Sequence, residues 1–201
     1  MKTTFKISAL VLAFAGFALG AKAQTTTSTT TKTSTGPNGI VLSIGADAGI
    51  PTGKLNDAYN WNIGGSVQAD IPVLPHQLFV TVNAGYNSIQ GKKDYLGVQG
   101  NDVPNIQLLP VKAGLKYFPV SHFYIQGEAG AAFLLNKSDL NYDKSAAFVY
   151  APQLGYQFPL GGKSYLDAGV RYEASTKFSS VYDGSKVNFF GLRVAYAFDT
   201  K

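Results

Sequence analysis

Apolar residues recur at every second position in eight stretches of residues 39–201, and this alternation limits the fold more than any other feature. No stretch keeps the 3.6-residue spacing of an amphipathic helix. A period of two belongs to β-strands, whose successive side chains point to opposite faces. The sequence therefore predicts an all-β domain of eight strands, over 40–50, 59–71, 78–86, 109–117, 123–135, 148–158, 166–174 and 190–198.

The two faces of these strands differ in kind. One face carries no charged residue, whereas charged and amide side chains share the other face with many of the glycines. A soluble barrel turns its apolar face inward, but a membrane barrel turns it toward lipid and lines its interior with the polar face. Glycines on the polar face favour a crowded interior there. Aromatic residues at the ends of the apolar face, among them Tyr59, Trp61, Phe133, Phe158 and Phe198, are typical of the girdles at the membrane edges.

We therefore expect the polar face to be enclosed and the apolar face to contact lipid. The alternative is a soluble periplasmic barrel that binds an apolar ligand, which requires the opposite orientation.

The links between strands alternate between tight, proline-containing turns (71–76, 118–122 and 158–162) and wider polar loops (51–58, 87–105, 136–146 and 175–186). Outer-membrane barrels have short periplasmic turns and longer outer loops, and an even number of strands leaves both termini in the periplasm. The hydrocarbon of a bilayer offers no hydrogen-bond partner to the backbone groups of an open sheet edge, so the last strand must pair with the first. The expected fold is an eight-stranded antiparallel up-and-down transmembrane β-barrel. Pro110 and Pro152 stand inside two predicted strands and indicate bulges or misplaced strand boundaries.

The first 38 residues have a different composition from the predicted barrel. Residues 1–23 combine two early lysines, an apolar run over 7–19 and an A-x-A pattern, which together predict a cleaved secretory signal peptide. The apolar run is too short to cross about 30 Å of hydrocarbon as a helix. Residues 24–38 are nearly all Thr and Ser and are expected to form a disordered linker. The predicted barrel domain occupies 39–201.

Composition and spacing exclude several kinds of function. Without the three lysines of the predicted leader, 17 − 3 = 14 Lys and Arg face 12 Asp and Glu, so we expect no nucleic-acid partner. The absence of cysteine excludes disulfides, a thiol nucleophile and a cysteine-ligated metal. His76 and His122 fall in the tight turns, away from the outer rim where a lipid-modifying Ser-His-carboxylate site would lie. We expect no enzyme, no cofactor and no metal site.

The predicted interior contains nearly balanced charges. An eight-stranded barrel is about wide enough for its own side chains, and buried charges need partners. We therefore predict a structural salt-bridge network that plugs the barrel, formed by Glu128, Arg171, Glu173, Arg193, Asp47 and Lys112. A narrow pore for small solutes or ions is the alternative.

The longest predicted loop, 87–105, mixes charged and aromatic residues. Lys92, Lys93 and Tyr95 are our candidates for contact with an unidentified surface partner or with the sugars of the outer leaflet.

The leader, the eight amphipathic strands, the Ala-Gly pairs at 84–85, 129–130 and 168–169, and the closing segment FFGLRVAYAF at 189–198 resemble the small, porin-like outer-membrane beta-barrel domain family of Bacteroidetes. The resemblance covers 39–201. It implies a protein of the cell outer membrane, in contact with outer-membrane lipid and lipopolysaccharide. The last strand resembles the aromatic-ended signal read by the outer-membrane assembly machinery, although three residues follow Phe198. The resemblance implies no particular activity, so we expect a structural or surface-interaction role in the cell envelope.

Overall fold

The computed structural model describes residues 37–140, 142–180 and 185–201, so the predicted signal peptide and most of the predicted linker lie outside the described residues. Eight antiparallel strands form a closed barrel in which β8 pairs with β1. The predicted eight-stranded up-and-down barrel is confirmed. The strands are β1 (Val41–Pro51), β2 (Tyr59–Leu74), β3 (Leu78–Gly91), β4 (Ile106–Val120), β5 (Phe123–Leu134), β6 (Ala146–Gly161), β7 (Ser164–Ser175) and β8 (Asn188–Asp199).

The connections differ at the two ends of the barrel. Tight turns join β2 to β3, β4 to β5 and β6 to β7 at one end, which we call the turn end. Four wider loops lie at the other end, the loop end: L1 (52–58), L2 (92–105), L3 (135–145) and L4 (176–187). L1 contains helix α1 (Leu55–Ala58), L2 a 3-10 turn (Tyr95–Gly97) and L3 helix α2 (Lys137–Leu140). Within the described ranges, no helix combines the length and the apolar character needed to cross a membrane.

The uncharged face of the strands points outward. Ile44 and Val170 are 63% and 57% exposed, whereas Arg171 and Arg193 are 3% and 0% exposed. This orientation is the one that a membrane barrel requires and the reverse of that in a soluble barrel. Tyr59 is an exception, because it was predicted on the outward face and is buried. A register shift between Tyr59 and the next paired residue of β2 turns its ring inward.

The expected bulges at the two strand prolines are wrong, whereas the expected boundary errors are confirmed, because β4 and β6 are longer than the predicted strands 109–117 and 148–158. Pro110 of β4 pairs with Ala132, and Pro152 of β6 pairs with Gly127, both in unshifted registers. On their other sides, toward β3 and β7, the ladders lack the pairs at each proline but keep the same register before and after it. A proline removes one N–H donor without adding a residue, so the ladder is interrupted but not displaced.

Asp199, the last residue of β8, links the beginning and the end of the barrel domain. The Asp199 carboxylate accepts hydrogen bonds from the backbone N–H groups of Asn38 (2.9 Å), Gly39 (3.1 Å) and Lys201 (3.0 Å). One side chain therefore fixes the segment that enters β1 against the end of β8, at the turn end.

Gly114 allows β4 and β5 to approach closely. A Cβ atom at this inward-facing position would overlap the carbonyl oxygen of Gly127 and the Cα atom of its pairing partner Glu128. We expect Gly114→Ala to lower the free energy of unfolding by about 1–3 kcal/mol. The measurement is a urea titration that follows the compact band seen in unheated gel electrophoresis.

The matched control is Gly127→Ala on the facing strand. A Cβ atom at Gly127 meets nothing within 4 Å, so this change is expected to stay within about 0.5 kcal/mol of the unaltered chain. Equal stability of the two variants would contradict the close approach at Gly114.

Candidate functional site

The inward-facing side chains change in character along the barrel. At the turn end Phe79, Phe118 and Tyr124 form a small aromatic cluster, with ring centroids 5.6 and 5.8 Å apart. The middle of the barrel is polar and charged. At the loop end a larger apolar cluster, which we call the mouth cluster, consists of Leu55, Tyr59, Ile89, Ile106, Leu108, Ala132, Leu134, Ala147, Val149, Phe178, Val187 and Phe189. Apolar side chains thus lie on both sides of the charged layer.

The charged layer contains a first cluster around Lys116. Its Nζ atom lies 3.0 Å from Asp70 Oδ2 and 2.8 Å from Asp167 Oδ2, and 4.0 Å from the centre of the Tyr124 ring. Asp167 also accepts hydrogen bonds from the Tyr124 hydroxyl (2.6 Å) and from Gln157 Nε2 (2.9 Å). All of these side chains are buried. The two carboxylates therefore share one ammonium group and are further stabilised by neutral donors.

A second cluster is formed by five of the six residues predicted for the network. Arg171 Nη2 lies 2.8 Å from Asp47 Oδ1, and Lys112 Nζ lies 2.5 Å from Glu173 Oε2. Glu128 is 3.7 Å from Lys112, which places its carboxylate at the edge of the same group.

Arg193, the sixth residue predicted for the network, contacts two serines and Asp167. Its guanidinium donates hydrogen bonds to the hydroxyl oxygens of Ser66 (2.9 Å) and Ser43 (3.0 Å). Among the described residues its ion-pair partner is Asp167, at 3.9 Å, and not Glu128 or Glu173. The Ser66 hydroxyl in turn donates to Asp47 at 2.7 Å, so Arg193 connects the two clusters.

Four of these ion pairs connect strands that are not neighbours in the sheet. Lys116 on β4 reaches Asp70 on β2 and Asp167 on β7, and Lys112 on β4 reaches Glu173 on β7. In the described middle of the barrel, each of the nine charged side chains, five acidic and four basic, has an opposite charge within 4.0 Å. Charges paired in this way connect the walls of a narrow barrel, with one formal negative charge in excess, and every one of them lies close to a charge of opposite sign.

The loop residues that we singled out lie above β2 and β3. Lys92 Nζ donates to the carbonyl oxygen of Asn56 at 2.8 Å, which anchors L2 to L1, and Lys93 is exposed. Tyr95 belongs to the 3-10 turn, but its side chain lies outside what the structure describes.

L3 and L4 are joined by an exposed carboxylate. The backbone N–H of Ser180 donates to Asp143 Oδ1 at 2.9 Å, and this bond lowers the pKa of the Asp143 carboxyl to about 2. The backbone N–H of Lys144 donates to the carbonyl oxygen of Phe178 at 3.0 Å. These two hydrogen bonds link L3 to L4 beside the barrel mouth.

The two histidines lie in different turns at the turn end, and both have left-handed backbone conformations, with φ of 65° at His76 and 66° at His122. In the described part of the chain, no three His, Cys, Asp or Glu residues are grouped so as to hold a metal ion.

Comparison with known structures supports the barrel fold. The outer membrane protein Ail of Yersinia pestis, solved in a phospholipid bilayer nanodisc, is 17% identical and matches with a TM-score of 0.52, covering 80% of this chain and 99% of Ail. A crystal structure of Ail with the heparin analogue sucrose octasulfate is 19% identical with a TM-score of 0.48, with the same coverage. A designed transmembrane β-barrel is 14% identical with a TM-score of 0.43, covering 82% of this chain and 97% of the design.

No curated protein matches the sequence of this chain. The outer membrane protein beta-barrel domain family, in contrast, matches residues 9–198, which is nearly the whole chain and includes all eight strands. With its closed barrel and its outward apolar face, the chain belongs to the outer membrane protein beta-barrel domain family.

Proposed function

We propose that this protein is a plugged barrel with a structural or surface-interaction role in the cell envelope. The proposal includes export through a cleaved signal peptide, insertion by the outer-membrane assembly machinery and a periplasmic position of both termini. It also includes contact of the barrel wall with outer-membrane lipid and lipopolysaccharide.

The outer surface supports the position in the membrane. Large apolar side chains on all eight strands are exposed, an arrangement that favours aggregation in water but is stable in hydrocarbon. Aromatic residues occur near both rims, with Trp61 and Tyr86 toward the loop end and Tyr117 and Phe158 toward the turn end. Membership of an outer-membrane family agrees with both features.

The plugged interior is supported by one observation: the charged side chains in the middle of the barrel are all paired with each other, and an apolar cluster lies on either side of them. The paired side chains are at most 5% exposed, from Arg193 at 0% to Glu128 at 5%. A conducting barrel needs a continuous aqueous path whose charged groups remain hydrated. Here the mouth cluster and the turn-end aromatic cluster stand at the two ends of such a path.

Single-channel recording tests this function. We expect the purified protein, inserted into planar lipid bilayers in 1 M KCl, to give no stepwise conductance. Heat-dependent migration in gel electrophoresis shows independently that the inserted protein is a folded barrel. Regular open steps from such folded protein would overturn the plugged barrel and favour the narrow pore.

A further inference from the structure

A β-bulge at the loop end brings an amide and the chain's single tryptophan onto the same outer surface. The register of β2 against β3 shifts between Tyr59 and Trp61. Tyr59 is buried, whereas the next two residues, Asn60 and Trp61, are both exposed, with the indole 47% exposed. In a regular strand these two neighbours would point to opposite faces. Bulges commonly redirect a side chain in this way, often at barrel rims and beside functional sites.

The redirected side chains line a cleft of about 560 Å³ at the rim, together with Gln90, Gly91, Lys92 and Lys93. This volume lies within the range of small-molecule sites. L2 is held in place beside it, because the Lys92 backbone N–H donates to the carbonyl oxygen of Ala58 at 2.9 Å and its carbonyl accepts from Val103 at 3.0 Å. The cleft is therefore shaped by backbone hydrogen bonds as well as by side chains.

The cleft is positively charged. Two of its described lining residues are lysines and none is acidic. The two acidic residues of L2 bind backbone N–H groups of the same loop. Asp94 Oδ1 accepts from the Gly100 N–H at 2.8 Å, and Asp102 Oδ1 accepts from the Asp94 N–H at 3.0 Å. In the described part of the chain, Lys93 has no ion pair within 4.0 Å. Its ammonium group is thus available to an external anion.

The position of the cleft relative to the membrane indicates which kind of ligand it can bind. Exposed tryptophan side chains of membrane proteins lie at the level of the lipid headgroups, and Trp61 is at the loop end, where lipid gives way to the outer loops. Lysines at this level attract anionic headgroups. The Asn60 amide adds donors suited to sugar hydroxyl and carbonyl oxygens, and Gln90 adds the N–H that it does not donate to the Ser88 hydroxyl (2.8 Å).

We propose that this cleft binds the phosphorylated sugar headgroup of an outer-leaflet glycolipid. Lys92 and Lys93 contact the phosphate, the two amides contact the sugar, and the Trp61 indole packs on the sugar ring at the edge of the acyl region. This site rests on the outer-membrane position given under the proposed function. It specifies the chemical class of ligand for the proposed surface-interaction role.

Trp61 itself supplies the readout, because it is the only tryptophan of the chain. The full-length folded protein in phosphatidylcholine nanodiscs is titrated with bis-phosphorylated lipid A, with dephosphorylated lipid A and with inorganic phosphate, while tryptophan emission is recorded. We expect saturable binding of the phosphorylated lipid, at least about tenfold weaker binding of the dephosphorylated lipid, and no response to inorganic phosphate at the same concentrations.

The double variant Lys92→Gln, Lys93→Gln is expected to weaken binding of phosphorylated lipid A by about tenfold or more. The matched control Lys137→Gln, Lys144→Gln removes the same charge from L3 at the same end of the barrel and is expected to bind as the unaltered chain does. Equal responses to the two lipids, or equal weakening by the two double variants, would overturn the site. A response to inorganic phosphate alone would assign the cleft to free anions and overturn the glycolipid.

These outcomes are separate from the proposed function. If the protein keeps its heat-dependent gel migration and gives no conductance, but does not distinguish the two lipids, the glycolipid site is wrong. The plugged barrel is then unaffected.

Discussion

Lys116→Met is expected to lower the free energy of unfolding of the barrel by about 3–5 kcal/mol. Methionine has nearly the length of lysine, so the change removes the charge with little change in packing. Asp70 then keeps only a neutral donor, Gln68 (2.6 Å), at close range. Asp167 keeps the neutral donors Tyr124 (2.6 Å) and Gln157 (2.9 Å) and the more distant Arg193 guanidinium (3.9 Å). Two carboxylates in the barrel interior without their shared cation carry a large desolvation cost.

The measurement is a urea titration in detergent micelles, with heat-dependent gel migration as the second readout. The control is Lys144→Met, the same chemical change at an exposed loop position, which is expected to stay within about 0.5 kcal/mol.

The double variant Lys116→Met, Asp70→Asn is expected to recover much of the loss, because it also removes the carboxylate left without a cation and keeps Asp167 beside Arg193. Equal loss in the single and double variants would show that packing, and not charge pairing, is responsible.

Phe178→Ala is expected to cost about 3–5 kcal/mol, the usual range for truncation of a fully buried phenylalanine. Phe178 belongs to L4 but is 0% exposed, because it packs into the mouth cluster with strand residues such as Ile89 and Phe189. Removing its ring leaves a cavity and weakens the attachment of L4 to the barrel.

Two measurements separate these effects. A urea titration reports the loss of stability, and faster trypsin cleavage after Lys177 reports release of the loop. Leu96→Ala is the control, since it removes an apolar side chain that is 81% exposed in L2 and is expected to have little effect. Unchanged cleavage and stability in Phe178→Ala would show that Phe178 does not anchor L4 to the barrel.

Alternation along the strands was sufficient to predict the barrel, because each face of a strand meets a single environment over most of its length. It also assigned the inward charges correctly to one face. It did not reveal their partners, because a period of two gives the face of a residue but not its height in the barrel. The six residues were therefore predicted as one network without assigned pairs, and the cluster around Lys116, which includes the Asp167 that lies near Arg193, was missed.

The loop end was harder to predict for a different reason. Near the mouth the inward positions of β3 and β4 are apolar, as at Ile89, Ile106 and Leu108, so the contrast between the faces disappears there. The predicted β3 consequently ended at 86, before Ile89, and the predicted β4 began at 109, after Ile106 and Leu108. Leu55 and Phe178 follow no strand pattern at all, and their burial depends on the folding of L1 and L4 over the barrel. The bulge that turns Tyr59 inward leaves no signature in alternation alone.

The Asp199 contacts bear on the order in which the barrel assembles. Seven of the eight strand pairs are formed by strands adjacent in sequence, and only β1 with β8 joins the two ends of the domain. The bonds from Asp199 to Asn38 and Gly39 span 161 and 160 residues. The entropy lost on closing a loop grows with its length, and contacts between distant residues slow folding. Hairpins should therefore form early, and the joining of first and last strands should set the rate at which this barrel becomes complete.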